Sequence, residues 1–371
     1  MDTDLFDYFL PEHLIAQTPA ARREDSRLLV VERATGKIRH CVFADLPDLL
    51  PAGTRLFRND AAVLQARLPG VRETGGKIEC LLLRPGEIPT RWWCMLRPGK
   101  KAAAGAFGVE GVYSARVIDK EECEDGGGEY LVEFEILLDG GRGNVLDVAQ
   151  KIGNLPLPPY ITRARPKGVD FSELDKERYQ TVYAHREEPV AAAAPTAGLH
   201  FSAALLEKLR ARGVPMFDLT LHIGLGTFQP IKSKTIETHP MHKEFYTIPA
   251  ETREQLEIVA PETSPRLAIG TTSLRAMEDF ARRRANGDPL IPASGSVAAS
   301  AGLFVYPPQK ISGADIMVTN FHLPKSTLMC LISTFLAPGD TRGIAWLKEI
   351  YAEAVAREYR FYSYGDAMLI L

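Results

Sequence analysis

The chain has 371 residues, 45% hydrophobic and 25% charged; this is the balance of a globular protein, and the length exceeds what one core usually holds. Its formal net charge of −3 argues against a general nucleic-acid coat, which is basic overall, but leaves room for a local patch that grips one structured RNA. The five cysteines form no C-x-x-C pair and are read as free thiols, no apolar run approaches the ~20 residues that span a bilayer, and the acidic residues 1–7 do not resemble a signal peptide, so a cytoplasmic protein is expected.

Residues 6–17 read as a short helical or capping segment. Strands are predicted at 27–31 and 38–42, joined as a hairpin across Ala34-Thr35-Gly36. A further strand at 54–57 runs into the polar Arg58-Asn59-Asp60. From 62 to 146 the texture changes to short β-patterned runs, at 63–68, 77–83, 91–96, 112–119 and 130–138, separated by turns such as Asp125-Gly126-Gly127-Gly128. No long helical pattern interrupts them, which predicts a small antiparallel β-barrel. Pro156, Pro158 and Pro159 then enforce an extended exit linker.

Beyond 170, helices and strands alternate. Helices are predicted at 175–183, at 203–212 with Ser202 as cap and Gly213 as stop, and at 250–259, 274–285 and 346–358. Strands are predicted at 216–223, 266–269, 315–318 and the C-terminus, and Pro324 is expected to open an apolar helical run at 327–336. The pattern predicts a mixed α/β domain with a partly parallel sheet, built from 1–61 and 148–371, with the barrel of 62–147 inserted between them. The rival layout is an N-terminal β domain followed by an α/β domain.

Four polar loops stand out: P-T-A-G-L-H-F at 195–201, H-I-G-L-G-T-F at 222–228, G-T-T-S-L-R at 270–275 and T-N-F-H-L-P-K-S at 319–326. Loops that follow parallel strands share one sheet edge, so they are able to converge on a ligand. The hydroxyls of Thr271, Thr272 and Ser273, together with the N–H groups of the following helix, suit a carboxylate or a ribose. Gly224-x-Gly226 lacks the third glycine of the dinucleotide fingerprint, and no G-x-S-x-G is present. His239-x-x-His242 with Glu244 invites a metal, but Pro240 breaks the regular face that would aim both rings at one ion. Hydrogen-bonding or acid/base work suits His200, His222 and His322 better. Candidate basic patches are Arg97, Lys100 and Lys101, then Arg163, Arg165 and Lys167, and the run 282–284.

Longer blocks carry a resemblance. D-S-R-L-L-V at 25–30, N-D at 59–60 with A-R-L at 66–68, P-L-P-P-Y-I at 156–161, R-Y-Q-T-V-Y-A at 178–184, A-P-T-A-G-L-H-F at 194–201, L-T-L-H-I-G-L-G-T-F at 219–228, H-P-M-H-K-E at 239–244, the G-T-T-S-L-R and T-N-F-H-L-P-K-S-T-L loops, and Y-R-F-Y-S-Y-G-D-A-M-L-I at 359–370 follow one another over nearly the whole chain. In these blocks the sequence closely resembles the S-adenosylmethionine:tRNA ribosyltransferase-isomerase family of queuosine biosynthesis. The resemblance implies an α/β domain with an inserted β-barrel. The implied reaction moves the ribosyl group of S-adenosylmethionine onto 7-aminomethyl-7-deazaguanine at the tRNA wobble position, with adenine and methionine released and no metal. On this reading His200, His222, His322 and Asp366 are acid/base or orienting candidates. Thr196, Gly198, Gly226, Thr227, Gly270, Thr271, Thr272, Ser273, Arg275 and Asn320 would hold S-adenosylmethionine, and Asn59, Asp60, Arg67 and Lys325 the second substrate or the junction that receives it. Departures are Ala61-Ala62 where the family usually has Thr-Arg, Gln65 for Pro, Asn154 for His, and about two extra residues in 185–194. Alternatives are a paralogue acting on a free nucleoside or small molecule, and a non-catalytic RNA-binding module.

Overall fold

The computed structural model describes residues 1–99, 105–122, 128–162, 171–186, 189–223, 230–241, 243–258, 263–292 and 294–371. Gly226, Thr227, His242, Lys100, Lys101, Arg163, Arg165, Lys167 and the turn residues 125–127 lie outside them.

A nine-stranded mixed sheet forms the larger body. Its centre is four parallel strands in the order Met216–Leu221, Arg55–Asn59, Arg266–Ile269 and Ile316–Asn320. Antiparallel strands Glu244–Ile248 and Val297–Ala301 extend one side. On the other side Ala367–Ile370 runs antiparallel to Ile316–Asn320 and parallel to Arg27–Val31, which forms the expected hairpin with Ile38–Val42. Leu267–Ile269 and Ile316–Val318 are apolar at consecutive positions because both faces of the sheet are covered there, whereas Met216–Leu221 alternates buried and half-buried residues. Leu29, Phe57, Ala268 and Met317 enter one core layer with Leu274, Met277 and Phe280 of the Gly270–Ala285 helix, and with the Thr327–Leu336 and Arg342–Ala356 helices. The neighbouring Leu28, Leu56, Leu267 and Ile316 point the other way, onto Leu205, Leu206 and Leu209 of the Ala203–Ala211 helix.

A closed six-stranded antiparallel barrel is the second body, with Gly128–Ile136, Arg91–Arg97, Lys77–Pro85, Arg67–Arg72, Phe107–Val109 and Tyr113–Glu122 in order around it. Leu68, Ile78, Cys80, Leu82, Cys94, Leu96, Val132 and Phe134 fill it, and Val145, Val148 and Ala149 of the Val145–Ile152 helix join the same core. Arg67 and Asn154 exchange both backbone hydrogen bonds, at 3.1 and 2.9 Å, so the chain entering the barrel is stitched to the chain leaving it.

Several local expectations are revised. The predicted run 63–68 splits: Ala62–Val63 pairs in parallel with Pro189–Ala191, outside the barrel, because Ala66 N–H turns back to Leu64 C=O at 2.7 Å. The helix expected at 274 begins at Gly270, whose φ of +87° turns strand into helix at one residue, so 270–273 is the helix's first turn and not a preceding loop. Pro324 does not open its helix. Lys325 intervenes at φ 54°, and Ser326 is the cap, its hydroxyl accepting from Met329 N–H at 3.3 Å. The strands Phe107–Val109, Glu244–Ile248 and Val297–Ala301 were not foreseen. Cys41, Cys80, Cys94 and Cys330 are free thiols. No helix among the described residues is long and apolar enough to cross a membrane.

Candidate active site

The four central parallel strands point their C-terminal ends at one edge, and a cavity open to solvent lies there. Thr196, Ile223, Gly270, Thr271, Thr272, Asn320 and His322 line it, so residues of all four polar stretches meet there. The sequence reading did not single out Tyr160, Thr319, Tyr362 and Ser363, which also line it. Tyr362 and Ser363 sit in the Y-R-F-Y-S-Y-G-D-A-M-L-I block at 359–370, and Tyr160 in P-L-P-P-Y-I. Tyr362 adopts φ 69°, a left-handed conformation that is an outlier for a bulky residue, with its ring 4.5 Å from that of Tyr160.

The Gly270–Ala285 helix aims its N-terminus at this cavity, and no side chain among the described residues caps it. Its first N–H groups therefore have no partner within the helix, and the helix dipole adds partial positive charge. This is an anion-binding arrangement made of backbone, framed by the hydroxyls of Thr271 and Thr272.

Asn320 is 2% exposed. Its Nδ2 lies 3.0 Å from His200 Nε2, 3.2 Å from Tyr362 C=O and 3.5 Å from Asp366 C=O. His200 is buried, with Nδ1 2.6 Å from Ser26 Oγ. Burial, with Arg360 and Arg23 nearby, drives the His200 pKa down to about 3. His322 is partly buried and has its Nε2 2.8 Å from Thr319 Oγ1; burial lowers its pKa to about 3 as well. Both rings are thus neutral near pH 7.

Other candidates stand apart from the cavity lining. His222 packs its ring edge-on to Phe245, with centroids 5.4 Å apart, and burial lowers its pKa. Asp366 accepts the backbone N–H groups of Arg27 and Arg360 at 2.9 and 2.8 Å, so its carboxylate fastens the last strand; burial raises its pKa against these bonds. Arg275 is drawn to Glu244 and to Ala301 C=O at 3.1 Å. Ser273 donates to Ile269 C=O at 2.7 Å inside its own helix. Gly198 is a packing glycine: an added Cβ would lie 2.1 Å from Tyr183 Oη. Asn59 is fully buried and cross-links the sheet edge, accepting from Ala61 and Leu221 N–H at 3.0 Å each and donating to Leu221 C=O at 3.1 Å. Asp60 accepts from Thr220 Oγ1 at 2.6 Å, and burial raises its pKa. Arg67 pairs with Glu79 at 2.7 Å on the barrel. Lys325 pairs with Asp4 and Asp7 at 2.7 and 3.2 Å, tying down the N-terminal segment. No group of three or more His, Cys, Asp or Glu side chains able to hold a metal occurs among the described residues.

Residues 3–370 match the family model described as queuosine biosynthesis protein. The chain is 43% identical over 370 residues to the S-adenosylmethionine:tRNA ribosyltransferase-isomerase of Gloeobacter violaceus, covering 100% of this chain and 96% of that one. It is equally 43% identical to the enzyme of that name from an Anaeromyxobacter species, over 98% of this chain and 97% of the other. The crystal structure of the S-adenosylmethionine tRNA ribosyltransferase from Thermotoga maritima is 31% identical, with a TM-score of 0.53 over 99% of this chain and 100% of that one.

Proposed function

The chain belongs to the queuosine biosynthesis protein family, whose relatives are tRNA ribosyltransferase-isomerases, and on that footing we propose that it transfers and isomerises the ribosyl moiety of S-adenosylmethionine onto 7-aminomethyl-7-deazaguanine at the tRNA wobble position. The product is epoxyqueuosine in tRNA; adenine and methionine depart. The observation that carries this reading is the cavity at the strand ends, where an uncapped helix N-terminus, two threonine hydroxyls, a buried amide and a neutral imidazole are gathered.

The chemistry asks for these groups. The sulfonium acidifies the adjacent C5′ protons, and a neutral base or the substrate amine removes one. Adenine leaves, aided by a proton on its ring; the amine attacks the opened ribose; closure of the epoxide expels methionine. The methionine carboxylate fits the N–H groups at Gly270, Thr271 and Thr272, a role that the engagement of Arg275 by Glu244 leaves to backbone. Thr196 and Asn320 are assigned to the nucleoside, and His322 to proton transfer. Asn59, Asp60 and Arg67 order the junction where the second substrate arrives. The same reading takes 1–61 with 148–371 as the catalytic unit, 62–147 as its insert, and the cytoplasm as the compartment where the tRNA is met.

The test is adenine release. Incubation with S-adenosylmethionine and tRNA bearing the aminomethyl-deazaguanine base should release adenine, and omission of the tRNA should abolish it. Release with the free base alone would instead assign a small-molecule acceptor, and tRNA binding without release a non-catalytic role.

A further inference from the structure

The Asn320 amide is held in one orientation from three sides. Two backbone carbonyls, of Tyr362 and Asp366, lie 3.2 and 3.5 Å from its Nδ2. An amide oxygen in that place would face two other oxygens, so the nitrogen belongs there. His200 Nε2, 3.0 Å from the same Nδ2, must then be the acceptor. Its Nδ1 carries the proton and donates to Ser26 Oγ at 2.6 Å, and Ser26 Oγ donates to Arg23 C=O at 3.0 Å. The two Nδ2 hydrogens are shared among these three acceptors, while the His200 Nδ1–H and the Ser26 hydroxyl hydrogen each have one. The amide's other end is different: Asn320 Oδ1 is buried and has no hydrogen-bond partner among the described residues, although Asn320 lines the cavity. Buried carbonyl oxygens are normally paired, and an unpaired one is costly.

We infer that Ser26 and His200 are positioning residues that lock the Asn320 amide so that Oδ1 is presented to the cavity as a preorganised acceptor for one neutral N–H or O–H donor on the nucleoside part of the sulfonium substrate. The inference rests on the proposed function and deepens it. His200 does not exchange protons with substrate. It fixes a tautomer, and the tautomer fixes which end of the amide the ligand meets. Because both ring nitrogens are engaged and the ring is held neutral, the lock stays set across the neutral pH range. Two donors on the substrate fit this chemistry, the exocyclic amine of adenine and a ribose hydroxyl, and removing each in turn tells them apart.

The experiment measures binding by calorimetry for S-adenosylmethionine, for its analogue with unsubstituted purine in place of adenine, and for its 2′-deoxy and 3′-deoxy analogues. Wild-type protein should bind one of the three analogues about tenfold more weakly than S-adenosylmethionine, as expected when a buried acceptor loses its donor. Asn320→Leu should lose a similar factor for S-adenosylmethionine and nothing further for that analogue. His200→Gln offers an acceptor near the Nε2 position and should keep both the affinity and the analogue preference, while His200→Leu should lose them; this pair supplies the answer if Asn320→Leu does not fold. An Asn320→Leu protein, or a His200→Leu protein, that discriminates among the analogues as wild type does overturns the inference. Wild-type protein that binds S-adenosylmethionine and releases adenine, but binds all four compounds alike, also overturns it while the functional reading stands. Wild-type protein that neither binds nor turns over S-adenosylmethionine removes both.

Discussion

His322 and Thr319 stand as a pair at the end of one parallel strand, imidazole Nε2 to hydroxyl Oγ1 at 2.8 Å, with both residues lining the cavity. The backbone of His322 is held independently of its ring, for its N–H donates to Tyr351 Oη at 3.0 Å and its C=O accepts from Tyr8 Oη. An alanine keeps both backbone bonds. His322→Ala should therefore fold, with a melting temperature near wild type, and lower the rate of adenine release by at least about tenfold, the lower end of what a positioned acid or base contributes. Turnover close to wild type would remove His322 from the site.

The two buried histidines also set a pH dependence of stability. Burial holds His200 and His322 at about 3 in the folded protein, against about 6.5 in an unfolded chain. Between those values the unfolded chain binds more protons than the folded one, so stability rises with pH through this window. The contribution is fully present above about 6.5 and is lost as pH falls toward 3. Melting temperatures recorded from pH 7 down to pH 4 should fall, and His200→Gln, which cannot titrate, should flatten the slope. An unchanged slope would mean that His200 is not held neutral by the fold.

What could be read from the residues alone divides along a physical line. Apolar runs bounded by polar turns mark strands well, and 27–31, 38–42 and 266–269 were legible for that reason. Parallel strands end on one edge, so the meeting of Gly270 and Asn320 was legible too, whereas Thr196 arrives from the separate two-stranded sheet. Side-chain direction was not. Asp366 and Asn59 are polar residues at strand ends, like Asn320, yet both spend their oxygens on backbone N–H groups. Lys325 is turned toward Asp4 and Asp7, and Arg275 toward Glu244, partners distant in sequence. Ala62 pairs with Pro189, so two stretches far apart in sequence meet only in space.

The Arg275–Glu244 pair is a case where structure redirects an expectation. Both side chains are largely buried, 14% and 6% exposed. Removing one member takes a charge away from its largely buried partner, a change that typically costs about 3–5 kcal/mol when the pair is broken from one side. Arg275→Ala should lower the urea midpoint by an amount in that range, while the folded fraction binds S-adenosylmethionine with unchanged affinity. Adding Glu244→Gln should recover part of the stability. A large loss of affinity with little loss of stability would return Arg275 to the methionine carboxylate.

Two glycines assigned together to the S-adenosylmethionine site should fail in different ways. At Gly198 an added Cβ would lie 2.1 Å from Tyr183 Oη and 2.8 Å from Thr181 Cγ2, both on packed side chains. Gly198→Ala should therefore destabilise by overpacking, about 1–3 kcal/mol, and affect binding only through that loss. At Gly270 the nearest atoms to an added Cβ are Ala197 Cβ at 3.5 Å and Thr272 Oγ1 at 3.7 Å, ordinary contacts. The penalty there is φ +87°, about 1–2 kcal/mol for a residue with a side chain. Relaxing that strain would rotate the first turn of the helix and move its N–H groups off the carboxylate. Gly270→Ala should raise KM for S-adenosylmethionine several-fold with a modest fall in melting temperature, whereas Gly198→Ala should lower the melting temperature and leave KM near wild type. If Gly270→Ala keeps its KM, the helix N-terminus is not where the carboxylate binds.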